Sequence, residues 1–285
     1  MSQVNNWSNP SKAVAQAIAE MAAALEERGR AFDQQKVNTA LKEVLSPAPG
    51  ERILEVGCGS GLLCRLMAPA VAPEGKVTGM DISPEFIKIA RDYAIHADLS
   101  DSIQWGAGRA EALPFQDAKF DGVLAARLLL HVSNPESVLS ELTRVVRPGG
   151  RVVVMDWDFE TLAVDHSNRE LTRRLLHWRC DHHGGNNWSG RQLWRLMVAS
   201  GLINVKTVPI VSVAQRENDS LTLSLFRAAQ VARDGGAIAS KEYDNWVMEL
   251  SSSLATGCFF ASMVYFIVIG ERNKEVAWDF QSELG

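Results

Sequence analysis

Three glycines at alternate positions, Gly57, Gly59 and Gly61, follow the apolar Arg52-Ile-Leu-Glu-Val56 without a spacer and lead into Leu62-Leu-Cys-Arg-Leu-Met67. A strand that turns into a helix through glycines leaves bare backbone at its carboxyl end, where a nucleotide-like ligand can approach closely. A dinucleotide fingerprint, G-x-G-x-x-G/A, would need Gly or Ala at position 62, and Leu62 stands there. This argues against a nicotinamide-dependent oxidoreductase. Twenty residues after Gly61, Lys76-Val-Thr-Gly-Met-Asp81 reads as a second strand that ends in a carboxylate. Asp81 is placed to accept from both hydroxyls of a ribose, through charge-assisted bonds worth about 1.5–3 kcal/mol; the alternative is a solvated strand end. Ser83-Pro-Glu85 then caps a new helix, with Pro84 at its first position.

Further motifs follow in order: Gly108-Arg-Ala-Glu-Ala-Leu-Pro-Phe115, Phe120-Asp-Gly-Val-Leu-Ala-Ala126, Asn134-Pro-Glu136, Arg144-Val-Val-Arg-Pro-Gly-Gly150 and Arg151-Val-Val-Val-Met-Asp156. Together with Glu55 and the glycine turn, this series resembles the class I S-adenosylmethionine-dependent methyltransferases, and most the ubiquinone-biosynthesis-like (type 11) small-molecule subgroup. The match is close over residues 50–160. The resemblance implies a doubly wound α/β fold: a mostly parallel seven-stranded sheet, Rossmann-like, with the last strand antiparallel and helical insertions forming a lid. It implies S-adenosyl-L-methionine as cofactor, held by Glu55, Gly57, Cys58, Gly59, Gly61, Asp81, Ile82, Gly108, Arg109, Ala110, Glu111, Ala126, Arg127 and His131. One position departs from the pattern: where the family usually has Gly-Asp-Ala-Glu, this chain has Arg109, which cannot accept a hydrogen bond from the adenine amino group. Adenine recognition then falls to the backbone of Ala110 and Glu111 or to the Glu111 side chain.

In open α/β sheets the acceptor of a transferred group binds at the carboxyl ends of the strands. After the fourth strand comes Ala126-Arg-Leu-Leu-Leu-His131, without the Asn/Asp-Pro-Pro-aromatic sequence of nucleic-acid amino methyltransferases. Arg127 is a candidate anchor for a carboxylate or polar group of the substrate, or else pairs with an acid of the lid. His131 is a candidate general base, with a pKa that is ordinarily near neutrality, or else packs beneath the cofactor. After the fifth strand stand Trp157 and Asp158, and then a basic, tryptophan-rich stretch with His177, Trp178, His182, His183 and Trp188. Arg127, Trp157, Asp158, His177, Trp178 and Trp188 are the expected substrate residues, an aromatic-walled pocket suited to a planar or apolar acceptor. His182 and His183 join His131 as candidate bases once Gly184-Gly-Asn-Asn187, read as a hinge, closes the lid. Two adjacent histidines without a spaced carboxylate do not make a metal site.

The elements that must position these residues are legible from periodicity. Residues 1–47 form a helical cover, in which Val14, Ile18, Met21 and Leu25 make one apolar stripe and Val37, Leu41 and Leu45 another. Residues 48–160 form the cofactor-binding core and 161–189 a helical lid insertion. Residues 190–285 complete the core, with a second helical insertion at about 215–256. The apolar run Cys258–Ile269 reads as a strand buried on both faces and is too short to span a bilayer. The net charge of −5 gives no attraction to phosphate backbones, so neither nucleic acid nor membrane is an expected partner. The four cysteines show no paired spacing and suit a reducing cytoplasm. A homodimer through the amino-terminal helices stays open. The activity implied is methyl transfer to oxygen, nitrogen or a nucleophilic carbon of a small molecule such as a secondary metabolite or quinone. The alternative is a non-catalytic sensor or partner subunit that binds S-adenosylmethionine.

Overall fold

Short apolar runs alternating with amphipathic segments build one seven-stranded sheet with helices on both faces. The computed structural model describes residues 15–182 and 184–274. Strands β1 (Arg52–Val56), β2 (Lys76–Asp81), β3 (Ile103–Ala107), β4 (Phe120–Ala126) and β5 (Val146–Val164) are connected through α3 (Leu62–Val71), α4 (Pro84–His96) and α5 (Pro135–Val145). The chain continues through α6 (Arg169–His182), α7 (Ser189–Ala199), β6 (Ile203–Ala214), α8 (Ser220–Asp234), α9 (Ser240–Ala255) and β7 (Ala261–Glu271). The strand order is β3-β2-β1-β4-β5-β7-β6, with β1 to β5 parallel. As expected, the last strand, β7, is antiparallel, lying between β5 and β6. The order reverses between β1 and β4, which opens a crevice at their carboxyl ends.

Local signals explain most boundaries. Ser83 Oγ accepts from Phe86 N at 3.2 Å with Pro84 next to it, which starts α4; Asn134 Oδ1 accepts from Ser137 N at 2.9 Å ahead of Pro135, which starts α5. Strand β5 runs further than its apolar run suggests. Trp157 and Asp158 pair with Tyr265 and Val264, and beyond an irregularity Ala163 and Val164 pair with Ser262 and Ala261. Residues 161–164 are therefore strand rather than the start of a helical insertion. The apolar run after Cys258 becomes strand only from Ala261. No helix among the described residues is long and apolar enough to cross a membrane.

The amino-terminal helix α1 (Ala15–Arg30) packs on α3 and α4, and α2 (Phe32–Leu45) lies over β5, β6 and β7. Ile18 and Ala22 pack on Phe86 of α4, while Val37, Leu41 and Leu45 enter the main core beside Ile53; Val14 lies outside the described residues. Two polar residues at the start of α2 fix it to distant elements. Buried Asp33 accepts from Ser220 N at 3.1 Å and Leu221 N at 3.3 Å, and from the hydroxyls of Ser212 and Ser220, both at 3.2 Å. Asp33 thus caps α8 from another helix. The residue in the cap position, Asp219, turns instead to Gln215 N and Arg216 N. Gln34 donates to Tyr265 Oη at 3.0 Å and so ties α2 to β7.

Because Asp33 supplies charge-assisted acceptors to two otherwise orphaned helix N–H groups, Asp33→Ala is expected to lower the unfolding free energy by about 1–3 kcal/mol, with Asp33→Asn intermediate. Urea denaturation of the three proteins measures this, and an unchanged midpoint would refute the capping role.

Candidate functional site

The carboxyl ends of β1, β2 and β4 open into one cavity of about 900 Å³, ample for a cofactor-sized ligand and a second molecule. The glycine turn forms its floor. Gly57, Gly59 and Gly61 take φ values of 76°, 52° and 76°, a region that only glycine enters freely. A Cβ at Gly57 would come within 2.9 Å of Leu128, one at Gly59 within 2.9 Å of Leu25, and one at Gly61 within 2.4 Å of the Trp105 ring. Close packing against the protein itself therefore demands these glycines as much as any ligand does. Gly57 N and Cys58 N donate to Met80 O at 2.8 and 3.0 Å, and Gly59 N to Asp81 Oδ2 at 2.9 Å. Asp81 Oδ1 accepts from Ser83 N at 3.0 Å. Both carboxylate oxygens are fixed by backbone N–H groups and retain acceptor capacity toward the cavity.

Most of the expected cofactor residues face this cavity: Glu55, Gly57, Cys58, Gly59, Asp81, Ile82, Gly108, Arg109, Ala110, Glu111, Ala126, Arg127 and His131. Gly61 does not; it precedes α3, beneath Trp105 and Ala90. Glu55 is buried and accepts from Cys64 Sγ at 2.9 Å; burial pushes its carboxyl up to about 7. Arg109 is mostly exposed and pairs with Glu111 at 3.4 Å.

The segment after β4 brings two further ionisable groups to the cavity, Arg127 and His131. Arg127 has a left-handed backbone, φ 57°, and its N donates to Met155 O at 2.6 Å. That unusual conformation turns the guanidinium toward α2, where Nη2 makes one long bond to Asn38 Oδ1 at 3.4 Å, while Nη1 is buried without a partner among the described residues. His131 also lines the cavity. Burial, and then the charge of Arg28, push its pKa down to about 4, so the ring is neutral at physiological pH; its Nδ1 has no hydrogen-bond partner among the described residues. Behind this turn, buried Asp156 accepts from Leu130 N at 3.0 Å and from Ser189 Oγ at 2.5 Å, and burial pushes its carboxyl up to about 7.

Of the expected substrate residues, Arg127 and Trp157 line the cavity, Trp157 edge-on to Tyr265 with ring centroids 6.2 Å apart. The other four lie elsewhere. Asp158 is buried and gripped by both Nε and Nη2 of Arg191, an ion pair that leaves it no role in the cavity. His177 borders a separate cleft of about 210 Å³ with His166, Arg169 and Arg173. Trp178 packs α6 against the end of α8, over Gly235, and stacks on His182 at 4.8 Å. Trp188 is exposed beneath the Arg191 guanidinium. Of the candidate bases in the insertion, His182 reaches the cavity edge and its Nδ1 lies 3.0 Å from Trp178 O, an acceptor one turn back in its own helix; His183 lies outside the described residues. The expected hinge is well tethered: Asn186 N donates to Leu130 O at 2.7 Å, Phe159 N to Asn187 O at 2.9 Å, and Asn187 Nδ2 to Cys180 O at 2.9 Å. Residues that sequence reasoning missed complete the wall: Arg28, Gln34, Asn38, Arg179, Arg227 and Tyr265. The one signal for any of them was the Tyr265 hydroxyl inside an apolar run.

Residues 54–154 match the methyltransferase domain family of type 11. These residues form a methyltransferase domain of that family, which reaches from β1 into β5. A demethylmenaquinone methyltransferase of Symbiobacterium thermophilum is 41% identical over 108 residues, 38% of this chain and 43% of that protein. An uncharacterized 37.1 kDa protein in transposon TN4556 of Streptomyces fradiae is 31% identical over 236 residues, 82% of this chain and 66% of that protein. The chain thus aligns with less than half of the first relative's length and about two thirds of the second's. In three dimensions the fold is similar to the [4+2]-cyclase SpnF, with a TM-score of 0.55, 21% identity and 87% and 84% of the two chains covered. It is also similar to the phosphoethanolamine N-methyltransferase 2 of Haemonchus contortus, solved with S-adenosylhomocysteine, with a TM-score of 0.57, 17% identity and 96% and 61% covered. The similarity of fold thus extends to described parts of the chain that the family match leaves out.

The Asp156 carboxyl holds its proton more tightly folded than unfolded, so its contribution to stability falls as pH rises from about 4 through 7. Asp156→Asn keeps an acceptor for Leu130 N and removes the ionisation. Its stability relative to the natural protein is expected to rise between pH 5 and pH 8 by on the order of a few kcal/mol. Urea denaturation at both pH values checks this, and a pH-independent difference would be the contrary result.

Proposed function

We propose that the chain binds S-adenosyl-L-methionine in the cavity at the carboxyl ends of β1, β2 and β4 and methylates an oxygen, nitrogen or nucleophilic carbon of a small-molecule acceptor. The observation that carries this reading is Asp81. A buried carboxylate at the end of β2, oriented by Gly59 N and Ser83 N and open to the cavity, fits the paired hydroxyls of a ribose. Glu111 and the backbone of Ala110 are the adenine-side groups, with Arg109 drawn outward by its ion pair. Glu55, the glycine turn and Ala126 face the amino-acid end.

When bound, S-adenosylmethionine supplies a methyl carbon to the acceptor's lone pair, the carbon–sulfur bond breaking with its electrons left on sulfur. The protein's part is alignment and exclusion of water. Helices α1, α2, α6 and α8 contribute Arg28, Gln34, Arg179 and Ser224 to the cavity wall and so enclose the acceptor space. Neutral His131 can accept a hydrogen bond from an acceptor hydroxyl or amine through Nδ1, but its low basicity makes it a weak proton sink. The free thiols of Cys58, Cys64, Cys180 and Cys258 fit a reducing compartment such as the cytoplasm.

Calorimetric titration with S-adenosylhomocysteine tests the cofactor reading. Asp81→Ala is expected to weaken binding by about tenfold to a hundredfold. Arg109→Asp, which places an acceptor where the adenine amino group would lie, is expected to strengthen it by about threefold or more. Binding that is indifferent to Asp81 would remove the proposed site.

A further inference from the structure

The acceptor side of the cavity carries far more positive than negative charge. Arg28 from α1, Arg127 from the end of β4, Arg179 from α6 and Arg227 from α8 all line it. Arg28 is partly buried, and burial together with the charge of Arg127 pushes its pKa down to about 10. Burial also lowers the pKa of Arg127. Burial holds Arg179 at about 10, with the charge of Arg227 adding to the effect. Among the described residues no carboxylate lies within ion-pair distance of Arg28, Arg127 or Arg227, and the buried Nη1 of Arg127 has no partner.

The acidic groups of the cavity do not balance this charge. Glu111 pairs with Arg109, Asp81 is held by Gly59 N and Ser83 N, Glu55 accepts from Cys64 and is pushed up to about 7, and Glu27 is exposed and makes no ion pair with an arginine among the described residues. Asp33, just behind the wall, is engaged by Ser212, Ser220 and Leu221. Nor does the proposed cofactor neutralise it: S-adenosylmethionine carries one carboxylate against an ammonium and a sulfonium and brings net positive charge. Two guanidiniums that repel one another in a partly dry cavity are costly unless an anion joins them. Around them stand apolar and aromatic surfaces, Trp157, Phe159, Leu221 and Met263, with Arg179 stacked 4.5 Å over Phe159.

We propose that the methyl acceptor is an anion, a small apolar or aromatic molecule that carries a carboxylate or phosphate, with its oxyanion anchored by Arg127 and supported by Arg28. This inference rests on the methyl-transfer reading above and names the substrate class of that site. The fork of Arg127 suits bidentate recognition of an oxyanion, and its left-handed backbone fixes the direction in which the fork points.

The test is calorimetric titration of the protein, free and saturated with S-adenosylhomocysteine, with benzoate, phenyl phosphate and the neutral isostere benzamide. At least one of the two anions is expected to bind about tenfold or more tighter than benzamide, and which of them binds tells carboxylate from phosphate. Arg127→Gln is expected to abolish that preference while benzamide binding stays the same, and Arg127→Lys to restore part of it. Thermal unfolding of each variant confirms that it is folded. Benzamide binding as tightly as both anions, no binding of either anion, or an anion preference untouched by Arg127→Gln would each overturn the proposal. So would a loss in Arg127→Gln confined to S-adenosylhomocysteine, which would assign the guanidinium to the cofactor's own carboxylate. Anion binding by a protein that fails to bind S-adenosylhomocysteine would overturn the methyl-transfer reading and the acceptor role together, whereas failure of the anion arm with cofactor binding intact would overturn the anion site alone.

Discussion

The hydrogen bond from Gly59 N to Asp81 Oδ2 joins two parts of the chain that must keep a fixed relation for a nucleoside to bind at all. A turn built from left-handed glycines has many alternative conformations in the unfolded chain, and the ordering cost is high. Three successive N–H groups, those of Gly57, Cys58 and Gly59, donate to the end of β2 and remove that freedom. The register of β1 on β2, Val56 opposite Met80, places the donors where these acceptors are. From this fixed turn follow the start of α3, the position of Cys64 under Glu55 and the floor of the cavity. The same carboxylate that orders the turn keeps its remaining lone pairs toward the cavity, so the order of the turn and the proposed ribose site depend on one side chain.

The wall built by the helices is assembled differently. Its residues come from α1, α2, α6, α8 and β7, and what aligns them is a small set of buried polar bonds of very long sequence separation. Asp33 reaches α8 and Gln34 reaches β7. Buried polar groups of this kind are costly to leave unsatisfied, so they admit few packings other than the native one. Ion pairs on the outer side, such as Arg174 with Glu242 between α6 and α9, are exposed and contribute little by comparison.

This difference explains what could be read from the sequence. The sheet, its order of elements and the α4 and α5 boundaries follow from periodicity and from caps within three residues of one another, as at Ser83 and Asn134. The side of the cavity lined by the glycine turn and Asp81 was legible for the same reason, since its residues lie within a few positions of strand ends. The side lined by the arginines was not. Arg28 and Arg227 look like ordinary solvated helix charges, and nothing local in Asp33 indicates that it caps a helix starting at Ser220. The tryptophan-rich insertion misled in the opposite direction. Trp178 and Trp188 are used for packing and cation stacking, and Asp158 is neutralised by Arg191, an assignment that depends on how α7 docks against β5. Composition identifies aromatic or charged density, but only tertiary contacts decide which side chains are already engaged.

The electrostatics of the acceptor half also bear on proton transfer. His131 is depressed to about 4 by burial and by Arg28, so it is uncharged where Arg28 and Arg127 are not. An anion bound between those guanidiniums would cancel part of the field that disfavours the imidazolium and raise the basicity of the ring. The burial contribution would persist, since a bound molecule excludes further water. The histidine would thus become a better proton acceptor when the acceptor is in place than when the cavity is open. Such a coupling needs no conformational change, because Asp156 already fixes the Leu128–His131 turn through Leu130 N and ties it to α7 through Ser189. With the proposed anionic acceptor, the cost of leaving Arg28, Arg127 and Arg227 without a paired carboxylate would be the counterpart of selectivity for the charge of the molecule that fills the cavity.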